Sequence, residues 1–375
     1  MAEDNSGFEV RSTISADGTF ELSLERHEVR VPLPGEVTVR VEAAPINPAD
    51  LLVMFGPVDT TSLEAIGSTD RPVVRGVVPP HRLASVNNRL GQSLAIGNEG
   101  AGTIIAAGSG TTHLLGRVVA LRDGMFSQFR TVSASDCLVL PEGSSARDGA
   151  SAMINPMTAL AMVETMRREG HTALVNTAAA STLGQMLNRL CQVEDVPLVN
   201  IVRSEQQAIL LRSAGARYVV DSSNPDFQTQ LLDAIDQTGA TLAYDSIGGG
   251  TMASDILHAM DQSQTRKSAV FSRYGSPVHR QVYIYGLLNT EDRVFRQNIG
   301  TAWSVAGWLM SWQMKKFGEE TEALFHRRIV SELKTTFRTE YGEEIGLSDL
   351  FRPEVIELYR KPASGRKFLV VPKAD

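Results

Sequence analysis

The sequence predicts an α/β chain of two domains, one of short β-strands closed into a small barrel or sandwich and one of strands and helices around a parallel sheet. Two patterns carry this. Before about Ala150, apolar and polar residues alternate with period two in short runs broken by turn residues; beyond it, short apolar runs are separated by segments of helical spacing. The size agrees: 375 residues, 42% of them hydrophobic, exceed one ordinary domain and can fill more than one core.

The alternating runs begin with TFELSLERHEVRV and GEVTVRVEAAPI, divided by a turn at Pro32, Pro34 and Gly35. Asn47-Pro48-Ala49-Asp50 reads as a turn and helix start. Residues 57–92 hold prolines, glycines and scattered charge, including Arg71-Pro72 and Pro79-Pro80, and are expected as a long insertion or lid loop. Short strands resume at AGTIIAAG, GRVVALR and DCLVLP.

Past Ala150 the strands are TALVNT, PLVNIV, RYVVD, ATLAYD and QVYIYG; helices are expected at LGQMLNRLCQVE, SEQQAILLRSAG and PDFQTQLLDAIDQTG. Strand, helix, strand in repeated order implies right-handed βαβ units and a parallel sheet. The apolar stretch Ala302 to Met314 is too short to span a bilayer and reads as a buried helix or a pocket wall. After Leu347 the alternation is lost, and KFLVVP is a last strand.

A formal net charge of -7 argues against nucleic acid or an anionic membrane surface as a main partner. The opening MAEDNSGFEVRS lacks the basic start and apolar core of a signal peptide. Two distant cysteines, Cys137 and Cys191, suit free thiols in a reducing, cytoplasmic setting, and cannot build a thiolate zinc lobe.

Strand TALVNT runs into Ala178-Ala179-Ala180-Ser181-Thr182-Leu183-Gly184-Gln185 and then a helix. Small residues there let the backbone approach a pyrophosphate, which the free N–H groups of the helix start can bind. The same run also fits an ordinary tight strand-to-helix turn, since it is not a full G-x-G-x-x-G. The next strand ends at Val202-Arg203-Ser204, where an NAD enzyme places a carboxylate on the ribose hydroxyls. A guanidinium instead forks onto a 2′-phosphate, so Arg203, helped by Ser204, predicts NADPH.

These segments resemble the medium-chain dehydrogenase/reductase superfamily, in particular its zinc-independent quinone oxidoreductases and 2-enoyl thioester reductases. The likeness covers nearly the whole chain: PLPGEVTVRVEAAPINPADLL, GNEGAGTIIAAGSG (Gly97 to Gly110), INPMTALAMVE (Ile154 to Glu164), AAASTLGQ, VNIVRS, SAGARYVVD and YDSIGG. It implies a GroES-like β-barrel catalytic domain (1–153 and 343–375, with 57–92 as the insertion), a Rossmann doubly wound coenzyme domain (154–342), and an active site in the cleft between them. It further implies a homodimer through the coenzyme domain. Zinc-dependent relatives place a Cys in the first segment and a His in Gly-His-Glu; here Asn47 lies in the first region and Asn98 in Gly97-Asn98-Glu99, so no catalytic metal is expected. The enoyl reductases carry a tyrosine donor soon after the first segment, whereas this chain has no tyrosine before Tyr218.

By the same resemblance Thr158 lies against the nicotinamide, and Ala180, Ser181, Thr182, Leu183, Gly184, Arg203, Ser204, Tyr218, Gly248, Tyr285, Gly286 and Arg366 contact the coenzyme. Asn47, Asn98 and Asn155 are candidate amide donors or turn formers, with Asn47 and Asn155 read towards the cleft and Asn98 towards structure. Glu99 is expected to bond backbone or an arginine. Tyr283 and Tyr285 share a strand face, as pocket or edge packing. Trp303, Trp308 and Trp312 are core, or the wall of a pocket for an apolar or acyl substrate. The expected activity is NADPH-dependent, metal-free hydride transfer to an activated C=C bond or a quinone, with a 2-enoyl thioester reductase and a non-catalytic NADPH-binding protein as alternatives.

Overall fold

The alternating runs fold as strands β1 (Ser6–Ile14), β2 (Thr19–Glu28), β3 (Glu36–Pro45), β4 (Asp59–Ser68), β5 (Arg71–Val77), β6 (Ser93–Ala95), β7 (Glu99–Ala107), β8 (Val118–Arg122), β9 (Phe129–Ser133) and β10 (Leu138–Val139). The structure is a computed structural model and describes residues 6–360 and 367–373. One five-stranded sheet runs β4-β5-β2-β1-β6.

Residues 57–92 are therefore not an irregular lid. Much of the stretch is the β4–β5 hairpin, and β5 extends the sheet by pairing antiparallel with β2, Leu22 opposite Val74. Val58 and Val74 are buried in the core. Pro72 made the stretch look broken, but it lies one residue past the last position of β5 that pairs with β2, so its missing N–H costs that ladder nothing.

The second half supplies β11 (Leu174–Asn176), β12 (Leu198–Val202), β13 (Tyr218–Asp221), β14 (Leu242–Asp245), β15 (Arg280–Ile284) and β16 (Trp303–Gly307). All pair in parallel, in the spatial order β13-β12-β11-β14-β15-β16. The direction of travel reverses between β11 and β14, so right-handed crossovers place helices Thr182–Val193 and Glu205–Ser213 on one face and Phe227–Thr238 and Met252–Lys267 on the other. Val175, Val199, Ile201 and Val282 are buried against Leu231, Ile235, Ile256 and Met260. Ala302 to Met314 is not one helix: it divides into β16 and the start of helix Met310–Phe317. Trp303 accordingly stacks on Phe295 (centroids 5.8 Å), Trp308 is buried, and Trp312 is 59% exposed.

Two last strands, β17 (Glu343–Ile345) and β18 (Phe368–Val370), rejoin the first half in a seven-stranded sheet of order β10-β8-β7-β3-β18-β17, with β9 also on β3. Residues of both sheets, among them Val10, Phe20, Leu22, Val39, Ile104 and Val119, form one core. The first unit comprises the chain through Ile154, Val330–Lys334, and the segment from Arg338 onward; the second comprises Asn155–Ile329 and Thr335–Phe337. The return starts before the expected residue 343 because Lys334 is tied to the first unit, 3.2 Å from the Asp148 carboxylate. Among the described residues no helix is long and apolar enough to cross a membrane.

Candidate functional site

In an open parallel sheet ligands bind outside the carboxyl ends of the strands where the order reverses, here the ends of β11 and β14. Thr177, just past β11, donates through Oγ1 to Asp245 Oδ1 (2.8 Å) and accepts from the Ser246 N–H (2.9 Å), which ties the two strand ends together. Asp245 also accepts the N–H groups of Ile247 (2.9 Å) and Gly248 (3.2 Å), and burial raises its carboxyl above the usual range. Asn176 ends β11 with a buried amide that has no partner among the described residues.

The loop leaving β11 is shaped for close backbone approach. Ala178 takes φ +47°, the left-handed region, which is strained for a residue with a Cβ. Ala179 and Ala180 are buried, and Ser181 caps the next helix by accepting the Gly184 N–H (3.1 Å). A Cβ on Gly184 would stand 2.3 Å from the Ala179 carbonyl oxygen, so the loop can rest on the helix only because residue 184 is glycine. Thr182 and Leu183 are the first residues of that helix. Arg203 is exposed beyond β12, and Ser204 caps helix Glu205–Ser213 through the Gln207 N–H (3.4 Å).

Gly248 and Gly286 bring two further loops together. A Cβ on Gly248 would lie 2.4 Å from the Gly286 carbonyl oxygen, and one on Gly286 would lie 2.6 Å from the Ser246 carbonyl oxygen. Beside them Tyr244, Tyr283, Tyr285 and Trp308 form an aromatic cluster; Trp308 lies edge-on to Tyr244 at 5.3 Å and to Tyr285 at 6.4 Å. Burial pushes the Tyr285 phenol up to about 12. Tyr283 is anchored separately by its hydroxyl on Glu169 (2.7 Å).

In the first unit a second polar cluster is built around three buried ionisable groups. Asp50 accepts the N–H groups of Asn47 and Asn98, each at 2.7 Å, the former as half of a capping box on helix Pro48–Met54. Glu99 is fully buried and accepts from Asn47 Nδ2 (3.1 Å), Met153 N (3.1 Å) and Ile154 N (2.9 Å). Lys367 Nζ stands 4.0 Å from Glu99 and donates to Ser151 Oγ (2.9 Å), which also accepts from the Tyr341 hydroxyl (3.0 Å). Burial lifts Asp50 to about 7, raises Glu99, and lowers Lys367.

No family model matches the chain. It is 28% identical over 251 residues to a mycocerosic acid synthase-like polyketide synthase of Mycolicibacterium smegmatis, covering 66% of this chain and 11% of that protein. It is 26% identical over 261 residues to the "Probable quinone oxidoreductase" of Leishmania amazonensis, covering 68% and 67%. The crystal structure of a protein assigned as an NADPH:quinone reductase, from Mesorhizobium loti, superposes with a TM-score of 0.71 over 99% of this chain and 100% of that one, at 23% identity. The chain has the fold of that protein. The complex of Etr1p with NADP and crotonyl-CoA has the same fold, with a TM-score of 0.68 over 98% and 99% of the two chains at 16% identity.

Within this fold, the predicted coenzyme residues 180–184, 203, 204, 248 and 286 all sit at carboxyl ends of strands or in the loops and helix starts that follow them. Tyr285 adjoins them, bonded through its N–H to the Asp245 carbonyl oxygen (3.0 Å). Tyr218 does not: it is the first residue of β13, at the opposite end of the sheet, under the Arg217 guanidinium. Arg366 lies outside the described residues. Asn155 and Thr158 both lie in the first turn of helix Asn155–Arg168. Asn47 is engaged by Glu99 and Asp50. Glu99 bonds backbone, as expected, but its cation is lysine rather than arginine. Sequence reading missed Ser151, Tyr341 and Lys367 as a group, and the only signal was the Arg366-Lys367 pair ahead of the last strand.

Proposed function

We propose that this chain is an NADPH-dependent reductase that passes hydride, without a metal, to an activated C=C bond or a quinone. The observation that carries the reading is the strand-end crevice: a Gly184 contact that leaves no room for a Cβ, followed at the end of β12 by Arg203 where NAD enzymes hold a carboxylate. The residues fit the coenzyme. The loop 178–181 and the start of helix Thr182–Val193 would hold the pyrophosphate, Arg203 and Ser204 the 2′-phosphate, and the Gly248–Gly286 contact would let backbone meet the nicotinamide end. When bound, NADPH supplies the hydride.

The chain's own residues then orient the acceptor. Thr158 is proposed to lie against the nicotinamide, with Asn155 beside it in the same helical turn. Asn47 is proposed as an amide donor to the acceptor carbonyl; its nitrogen carries two hydrogens, and Glu99 takes one. Amides at residues 47 and 98 are poor zinc ligands, which supports metal-free chemistry. Free thiols at Cys137 and Cys191 suit a cytosolic setting.

Arg203→Ala is expected to weaken NADPH binding about 10- to 100-fold, the value of one charge-assisted contact, and to leave NADH binding unchanged. Fluorescence titration checks this, and equal losses for both coenzymes would sink the assignment. A panel of a quinone, an enone, an enal and a short enoyl-CoA assigns the acceptor; turnover confined to the thioester selects the enoyl thioester reductase. NADPH bound without turnover selects the non-catalytic binding protein.

The chain is further proposed to dimerise through the coenzyme unit. Strand β16 is an edge strand, and its sequence WSVAG has neither charge nor proline to discourage pairing. Sedimentation at micromolar concentration should give the mass of two chains, and a monomer would refute the proposal.

A further inference from the structure

Residues 268–279 join helix Met252–Lys267 to β15 and lie wholly within the coenzyme unit. The base of this loop is fixed. Arg280, with no exposure, pairs with the Asp261 carboxylate and donates through Nη2 to the Ile299 carbonyl oxygen (3.2 Å). Asp261 also accepts the Ser276 N–H (3.3 Å), and Thr301 Oγ1 donates to the Tyr274 carbonyl oxygen (3.2 Å). Gly275, at φ +78°, runs so close to Gly300 that a Cβ would lie 2.8 Å from the Gly300 Cα. Farther out, two serines close short turns: Ser268 Oγ accepts the Val270 N–H (3.3 Å) and Ser272 Oγ the Tyr274 N–H (3.2 Å).

These turns leave the apolar side chains outside. Val270 is 76% exposed, Phe271 92% and Tyr274 59%. A single exposed ring needs no partner, but here apolar residues are bunched at the tip of one loop and flanked by cations. Arg266, Lys267 and Arg273 are all exposed, and the Arg273 guanidinium lies over the Tyr274 ring at 5.0 Å. Against these three cations stands Asp236, which pairs with Lys267 (3.2 Å) and also attracts Arg266, so two positive charges are left over. No acidic residue occurs between Asp261 and Glu291, and Asp261 is already taken by Arg280. The formal net charge of -7 therefore describes the chain as a whole and not this loop.

We propose that loop 268–279 docks the chain reversibly on an anionic membrane surface, with Val270 and Phe271 entering the lipid and Arg266 and Arg273 meeting the headgroups. Apolar side chains that project from a fixed loop fit the boundary between headgroups and acyl chains, and arginines beside them are drawn to negative lipids. Tyr274, with an apolar ring and a polar tip, suits the same depth. A second copy of this chain fits less well, because a symmetric contact centred on the loop would set Arg266 and Arg273 against like charges. The docking needs neither NADPH nor an acceptor, so its failure leaves the reductase reading untouched.

The full chain is sedimented with vesicles of phosphatidylcholine alone and of phosphatidylcholine mixed with phosphatidylserine. It should bind the mixed vesicles, more weakly as salt is raised, and bind the neutral ones far less. Phe271→Ser should lower the partition coefficient on mixed vesicles about 10- to 100-fold, the value of burying one such side chain. Arg266→Gln with Arg273→Gln should lower it about 30-fold, roughly 5-fold for each cation, and abolish the preference for phosphatidylserine. All three side chains are exposed, so the melting midpoints of the variants should match the wild type, which separates lost docking from lost folding. Binding to mixed vesicles no stronger than to neutral ones overturns the proposal, as does full binding by Phe271→Ser or by the double arginine variant. Self-association of the wild type that vanishes in Phe271→Ser, with no vesicle binding by either, would assign the loop to a protein contact and overturn it as well.

Discussion

Gly184→Val is expected to cost the chain its coenzyme. The new Cβ would fall 2.3 Å from the Ala179 carbonyl oxygen and 2.6 Å from its carbon, and both are backbone atoms that no rotamer change can move. Loop 178–181 must lift from the helix, and with it go the N–H groups proposed to hold the pyrophosphate. NADPH affinity should fall by about 100-fold or more, roughly 2.8 kcal/mol, and NADH affinity equally, because both carry the same pyrophosphate. Overpacking should also cost the coenzyme unit about 1–3 kcal/mol of stability. Titration of the folded variant with both coenzymes checks the result. Native affinity for either would show that the loop after β11 is not the cradle, whereas the Arg203→Ala result concerns only the choice between coenzymes.

Lys367→Met is expected to destabilise the first unit by about 3–5 kcal/mol, the usual cost of stripping one partner from a buried charge pair. Glu99 has no exposure and Asp50 is 2% exposed, and Lys367 is the ammonium that faces both. The three hydrogen bonds to Glu99 remain in the variant, but they do not replace a charge. The unfolding midpoint should drop by roughly 10 °C for a unit of this size. Glu99→Gln added to Lys367→Met should recover part of the loss, since it removes the stranded charge, and Lys316→Met on an exposed helix should change little. A calorimetric midpoint unaltered in Lys367→Met would mean that Glu99 is already neutral in the wild-type chain.

The coenzyme unit was largely legible because its signals are local. A buried parallel strand reads as a short apolar run, and small residues in consecutive positions marked a tight strand-to-helix turn at Ala178 to Gly184, with a phosphate cradle and an ordinary turn both open readings of it. The β4–β5 hairpin was obscured because prolines were taken as breaks; the β-branched run of Val73, Val74, Val77 and Val78 was the better guide. Tyr218 was misplaced because a motif shared with relatives fixes a strand but not which of its ends faces the ligand. The tryptophans looked like one apolar segment, yet a strand and a helix meet inside it, and the three indoles enter different surroundings. Ser151, Tyr341 and Lys367 could not be grouped from spacing at all. Only the return of the chain to the first unit unites them, and single residues separated by most of a domain leave no periodic trace.

That return also sets an order on biosynthesis. β18 closes onto β3, with Leu369 opposite Pro45, and Lys367 arrives immediately before it. During translation the ribosome therefore releases the whole coenzyme unit, through Phe337, before the last strand of the first unit exists. Until then β3 lacks its β18 partner at Ala44 and Pro45, and Asp50 and Glu99 wait without their cation. The first unit thus reaches its native state only after the later half has been synthesised.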